Sequence, residues 1–127
     1  MDAKKTIFVV DDNYDLVQMV RLILEGGGFE AIGLYSGLEL FNRLETQKPD
    51  LIFLDIMMPQ MDGLEVLTRL KGVPDTSSIP VILLTAKIMP SDINEAFELG
   101  ADDYITKPFT RVRLIDAINS CLSKDTR

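Results

Sequence analysis

Apolar and polar positions along this chain follow two rhythms, short unbroken apolar runs and stretches in which apolar residues return every third or fourth place, and the two alternate five times. Thr6 to Val10 reads as a strand, after which Leu16, Met19, Val20, Ile23 and Leu24 recur at helical spacing until Gly26, Gly27 and Gly28 stop the pattern. Glu30 to Tyr35 alternates as a second strand, and Ser36-Gly37-Leu38-Glu39 has the form of a capping box opening a helix with Leu40, Phe41 and Leu44 on its apolar face. Leu51 to Leu54 is the third apolar run. A helix is expected from about Asp62, with Glu65 three residues on and Leu64, Leu67 and Leu70 facing inward. Val81 to Leu84 is the fourth, followed by Ser91 as N-cap, a helix carrying Ile93, Ala96 and Phe97, and Gly100 as its stop. Tyr104 to Thr106 is the last, before a helix from Thr110 that buries Leu114, Ile118, Cys121 and Leu122.

Strands separated by single helices run parallel, since each crossover returns the chain in the same direction. The first, third and fourth strands are almost wholly apolar, whereas the second and fifth mix in Glu30, Gly33, Asp103 and Thr106, which assigns those two to the sheet edges. The expected fold is α/β: a flavodoxin-like (βα)₅ doubly wound parallel sheet of order 2-1-3-4-5, whose ligands bind beyond the carboxyl ends of the strands near the switch between strands one and three.

A length of 127 residues suits one domain, with a structured core over about 5–122 and a polar tail or linker start at 123–127. No output domain is expected after the last helix within this chain. No run reaches the ~18 apolar residues of a membrane span, and the stretch after Met1 to Lys5 is too short for a signal peptide, so a cytoplasmic location is expected. A net charge of −7 argues against direct nucleic-acid binding, and the lack of histidine removes the usual general base and the commonest zinc ligand. Any metal must then be held by oxygen. The single cysteine, Cys121, falls on an apolar stripe and reads as a small buried hydrophobe.

The polar residues can now be placed. "LIFLDIMMP", Leu51 to Pro59, delivers one acid, Asp55, at the end of an apolar strand; Asp11 and Asp12 follow strand one, Thr85 ends strand four and Lys107 follows strand five. Taken singly, Asp12 or Asn13 could cap the first helix, Thr85 could be a β-favouring residue and Lys107-Pro108 a surface turn. Independent caps and turns have no reason to converge on one edge of one sheet. Three crowded carboxylates repel one another unless a cation sits among them, and an all-oxygen set suits Mg²⁺ or Mn²⁺. A carboxylate beside such a cation can also attack phosphorus and form an acyl phosphate, with lysine and metal offsetting the phosphoryl charge.

"VVDDN" at Val9 to Asn13, "LDIMMPQMDG" at Leu54 to Gly63, "LLTAK" at Leu83 to Lys87 and "GADDYITKPF" at Gly100 to Phe109 together resemble, in order and spacing, the receiver domain of the two-component response regulators. The resemblance spans essentially the whole chain. It implies that Asp55 accepts a phosphoryl group, that Asp12 and Asp55 bind Mg²⁺ through their side chains, Met57 through its backbone carbonyl and Asp11 through water, and that Lys107 contacts a phosphoryl oxygen. It implies a cis bond between Lys107 and Pro108. It also implies that the Thr85 hydroxyl swings toward the phosphate, beside a small Ala86, and that Tyr104 then turns inward and changes the face formed by helix four, strand five and helix five. Met57 and Lys87 occupy the family's variable positions near the phosphoryl group and are expected to set its lifetime.

The implied partners are a sensor histidine kinase or phosphotransfer protein, which would meet helix one around Asp15, Gln18 and Met19, and a downstream protein partner or fused output domain. In winged-helix relatives an acid and an arginine of helix five pair across a symmetric dimer; the aligned positions here are Arg113 and Ala117, so a monomer or a weak phosphorylation-dependent dimer is expected. Rival readings fit less well. A flavin mononucleotide carrier needs a Gly/Ser/Thr phosphate loop where Asp11 and Asp12 stand. A haloacid-dehalogenase-type phosphatase needs a second aspartate two residues after the nucleophile, where Met57 stands, and a P-loop NTPase needs GxxxxGK[ST], which the sequence lacks. A phosphorylation-deficient receiver used only for protein binding would normally have lost one or more of the five site residues; all five are present, and this reading is kept as the alternative.

Overall fold

The computed structural model describes residues 4–56, 63–85 and 90–123. Five strands, β1 (Thr6–Val10), β2 (Glu30–Leu34), β3 (Leu51–Asp55), β4 (Val81–Thr85) and β5 (Asp103–Thr106), alternate with five helices, α1 (Tyr14–Gly26), α2 (Gly37–Leu44), α3 (Gly63–Gly72), α4 (Pro90–Glu98) and α5 (Arg111–Ser123). All pairings are parallel and the sheet order is β2-β1-β3-β4-β5, with the two polar strands at the edges as their composition implied.

Side chains alternate across each strand, so the three central strands are buried on both faces. Phe8, Val10, Ile52, Leu54, Val81 and Leu83 pack against Leu40 and Leu44 of α2, Val66, Leu67 and Leu70 of α3 and Ala96 of α4. Ile7, Val9, Leu51, Phe53, Ile82 and Leu84 pack against Val17, Val20 and Leu24 of α1 and Leu114, Ala117, Ile118 and Cys121 of α5. Each fully buried aliphatic or aromatic side chain contributes about 1.5–3 kcal/mol over its exposed state.

The helix ends follow local chemistry. The Asn13 side chain accepts from Leu16 N–H at 3.1 Å and caps α1, and Gly28 has a φ of +93°, a conformation that favours glycine, just past its end. The Ser36 hydroxyl accepts from Glu39 N–H at 3.1 Å, while Glu39 reaches past Ser36 to accept from Tyr35 N–H at 3.2 Å, one residue earlier than a standard capping box. Gly100, with φ +111°, follows α4 as expected. Thr110 lies just outside α5, where its hydroxyl accepts from Arg113 N–H at 3.1 Å.

Several expectations shift. Helix α4 begins at Pro90, one residue before the expected N-cap position at Ser91; proline suits a first turn because its missing N–H would have no helical partner there. Phe97 does not join the core: it is 42% exposed and meets Tyr104 edge-on at 6.1 Å, because α4 seats its small Ala96 on the sheet. Leu64 and Leu122 are only partly buried, and Val66, fully buried, belongs to the inner face of α3. Asp55 and Thr85 end their strands as expected, whereas β2 stops one residue short of Tyr35. The expected helix start at Asp62 lies outside the described residues.

Candidate phosphoryl-transfer site

Register brings the polar residues together row by row. Val10 lies opposite Leu54, so Asp11 and Asp55 are the next residues on adjacent strands; Asp55 lies opposite Leu84, and Thr85 opposite Thr106, just before Lys107. Each therefore arrives at the carboxyl edge of the sheet beside the switch between β1 and β3.

One carboxylate oxygen each from Asp11, Asp12 and Asp55 lies within 4.8 Å of the others. Asp11 and Asp55 are buried, at 1% and 4% exposure, whereas Asp12 faces solvent. The main chain holds Asp11 in place: its N–H donates to Leu34 O at 3.1 Å, and its Oδ1 accepts from Asn13 N–H at 3.0 Å. Lys107 Nζ lies 2.9 Å from Asp11 Oδ2 and 3.7 Å from Asp55 Oδ2, so its short bond is to Asp11 and it bridges the two buried acids. Burying carboxylates requires such partners. The described residues fit a hard divalent cation, since three clustered carboxylates in a chain without histidine are the kind of oxygen ligand set that Mg²⁺ or Mn²⁺ takes.

Thr85 is fully buried at the end of β4, and its carbonyl accepts from Lys107 N–H at 2.7 Å. That bond ties the lysine's strand end to its neighbour, and the Lys107-Pro108 peptide is cis. Tyr104 lies opposite Leu83, so by the alternation of strand side chains Thr85 and Tyr104 face the same α4 side of the sheet. Met57, Met58, Met61, Ala86 and Lys87 lie outside the described residues.

Sequence reasoning did not single out Gly63. A Cβ there would lie 2.3 Å from Ile56 Cα and 2.7 Å from Asp55 O, so α3 can start this close to the acid only without a side chain. The Met-Asp-Gly run after the strand was the available signal, although a glycine in a loop ordinarily means only a turn.

A parallel doubly wound sheet that gathers three acids and a lysine at its switch point defines an α/β domain with a charged site at the carboxyl edge of its sheet. A family model describing the response regulator receiver domain matches residues 7–119, and the chain belongs to that family of two-component phosphoacceptor domains. The chain is 43% identical over 106 residues to the alkaline phosphatase synthesis transcriptional regulatory protein PhoP of Bacillus subtilis (strain 168), covering 84% of this chain and 43% of that protein. It is 38% identical over 120 residues to the phosphate regulon transcriptional regulatory protein PhoB of Pseudomonas aeruginosa, covering 94% and 52%. The chain thus spans about half the length of these relatives. Among solved structures, the signal receiver domain of a signal transduction histidine kinase from Syntrophus aciditrophicus superposes with a TM-score of 0.88 at 39% identity, covering 97% of this chain and 93% of that one.

Proposed function

We propose that Asp55 is the phosphoacceptor, that Asp11, Asp12, Asp55 and the backbone carbonyl of Met57 hold Mg²⁺, with Mn²⁺ as a substitute, and that Lys107 and Thr85 complete the site. The observation that carries this reading is the convergence of three carboxylates and Lys107 at the carboxyl edge of a receiver-family sheet. One Asp55 oxygen attacks phosphorus. The new P–O bond forms as the bond to the donor's leaving atom breaks, and the leaving group keeps the electron pair. When bound, the cation supplies positive charge to the phosphoryl oxygens. Lys107 donates to one of those oxygens, giving up part of its contact with Asp11, and the Thr85 hydroxyl donates to another. Water later attacks phosphorus, the P–O bond to Asp55 breaks with its electron pair returning to the carboxylate, and inorganic phosphate leaves as a proton passes to solvent; the reactions catalysed are the domain's own phosphorylation and dephosphorylation.

In this reading the donor is a sensor histidine kinase, a phosphotransfer protein or a small phosphodonor in the cytoplasm, and the readout is a change in the face made by α4, β5 and α5, with Tyr104 as its moving part. That face meets a downstream protein or a fused output domain. With a net charge of −7, the domain is assigned no direct contact with nucleic acid.

Intact mass after incubation with acetyl phosphate, with and without Mg²⁺, tests the proposal on this protein and on Asp55→Asn. The expected result is a metal-dependent gain of one phosphoryl group that the variant lacks. No gain under any condition would overturn it, and a gain that survives in Asp55→Asn would reassign the nucleophile.

A further inference from the structure

Asp103 opens β5 at the edge of the sheet, and Arg113 lies in the first turn of α5. Their charged groups approach only loosely, with Arg113 Nη1 3.4 Å from Asp103 Oδ2 and Nη2 3.5 Å from Oδ1. The short bonds go to the main chain between them. Arg113 Nη2 donates to the Tyr104 carbonyl at 2.8 Å, and the Tyr104 N–H donates to Asp103 Oδ1 at 2.8 Å. Both main-chain polar groups of Tyr104 therefore end on two side chains that face each other, which closes a ring of contacts around one residue of an edge strand.

Charge attraction alone gives such a half-exposed pair little strength. Its effect is geometric, because the guanidinium fork is rigid and spans carbonyl and carboxylate together. On its other side the Tyr104 ring is held edge-on by Phe97. The tyrosine is thus fixed from both its main chain and its ring.

We infer that Arg113 is a positioning residue for Tyr104: with Asp103 it holds the main chain from which the ring turns, and so sets how strongly the domain favours the arrangement seen here over the alternative. This rests on the phosphoacceptor reading above. Contacts present in one arrangement and loosened in the other bias the equilibrium, and by linkage they oppose whatever binds the second arrangement more tightly.

The test uses the whole chain labelled with fluorotyrosine, whose three tyrosine signals are assigned by Tyr→Phe variants, titrated with beryllofluoride as phosphoryl mimic in the presence of Mg²⁺. In Arg113→Met the starting Tyr104 signal should move along the line between its free and saturated positions, and the midpoint should change about two- to fivefold in the matching direction, the range a half-exposed pair supports. Asp103→Asn should move both readouts the same way. Arg113→Lys keeps one donor for the Tyr104 carbonyl and should return the midpoint to within about twofold of the parent. Thermal melting checks that each variant is folded, and amide exchange at Tyr104 reports whether the ring of contacts has opened. Faster exchange in Arg113→Met with an unchanged midpoint and an unmoved ring signal would overturn the inference and leave Arg113 as edge cover. A parent protein that does not respond to beryllofluoride at all would overturn the phosphoacceptor reading itself, and the inference with it.

Discussion

Asp55 owes part of its setting to a close approach at its main chain, beside the charged groups that meet its carboxylate. Helix α3 starts against the strand end, and a methyl group at Gly63 would meet Ile56 Cα at 2.3 Å and the Asp55 carbonyl at 2.7 Å, neither of which is the tip of a flexible side chain. Gly63→Ala should therefore push α3 away from the site, destabilising the fold by about 3 kcal/mol, at the upper end of overpacking costs. Urea denaturation measures that loss, and the rate of acetyl phosphate phosphorylation should fall with it even in the folded fraction. Lys107 teaches a related lesson at the same scale. Its place after the last strand was readable, but its preference for Asp11 over Asp55 is a matter of less than one ångström and depends on how β1, β3 and β5 twist past one another.

At the scale of elements, composition assigned β2 and β5 to the edges, and the structure adds how those edges are closed. Arg21 of α1 donates through Nε to Ala31 O of β2 at 3.1 Å, as Arg113 of α5 does to Tyr104 O of β5, so each edge strand is covered by an arginine from a helix beside it. Gly33 marked β2 as a poor central strand, yet its constraint comes from elsewhere: a Cβ there would lie 2.6 Å from Val17 Cγ1 and 3.0 Å from the Tyr35 hydroxyl, because α1 packs directly on the strand. Gly33→Ala is expected to cost about 1–3 kcal/mol. Adding Val17→Ala should recover part of that loss, giving a non-additive cycle by urea denaturation, whereas additive losses would show that the contact with α1 is not the cause. Phe97 shows the limit of helical periodicity, which places it on the Ile93–Ala96 side but does not say that the seat on the sheet goes to the smaller residue.

For the whole molecule, three carboxylates drawn within 4.8 Å of one another are a cost of folding that the unfolded chain does not bear. Asp12 is the exposed member, so an amide there buries no new polar group. Asp12→Asn should raise the melting temperature in chelator-treated buffer, with a gain of about 1–2 kcal/mol for one relieved repulsion. Mg²⁺ should stabilise the parent protein in proportion to the logarithm of its concentration, by about 2.7 kcal/mol at a hundred times its dissociation constant, and should stabilise the variant much less. Equal stabilisation of both proteins would show that Asp12 is not a ligand.

The sequence by itself determined the alternation of strands and helices, the cap at Ser36, the stop at Gly100, the edge strands and the set of residues that reach the carboxyl edge, and it narrowed the cap of α1 to Asp12 or Asn13. These depend on side-chain period, turn chemistry and the handedness of crossovers, which act over a few residues or follow from connectivity. Only the tertiary structure decided which acid Lys107 bonds, why Gly33 and Gly63 must lack side chains, where Phe97 turns and how Asp103 and Arg113 close around Tyr104. Those outcomes compare contacts that differ by an ångström or less between residues far apart in the chain, and they are set when two helix layers and a twisted sheet settle into one packing.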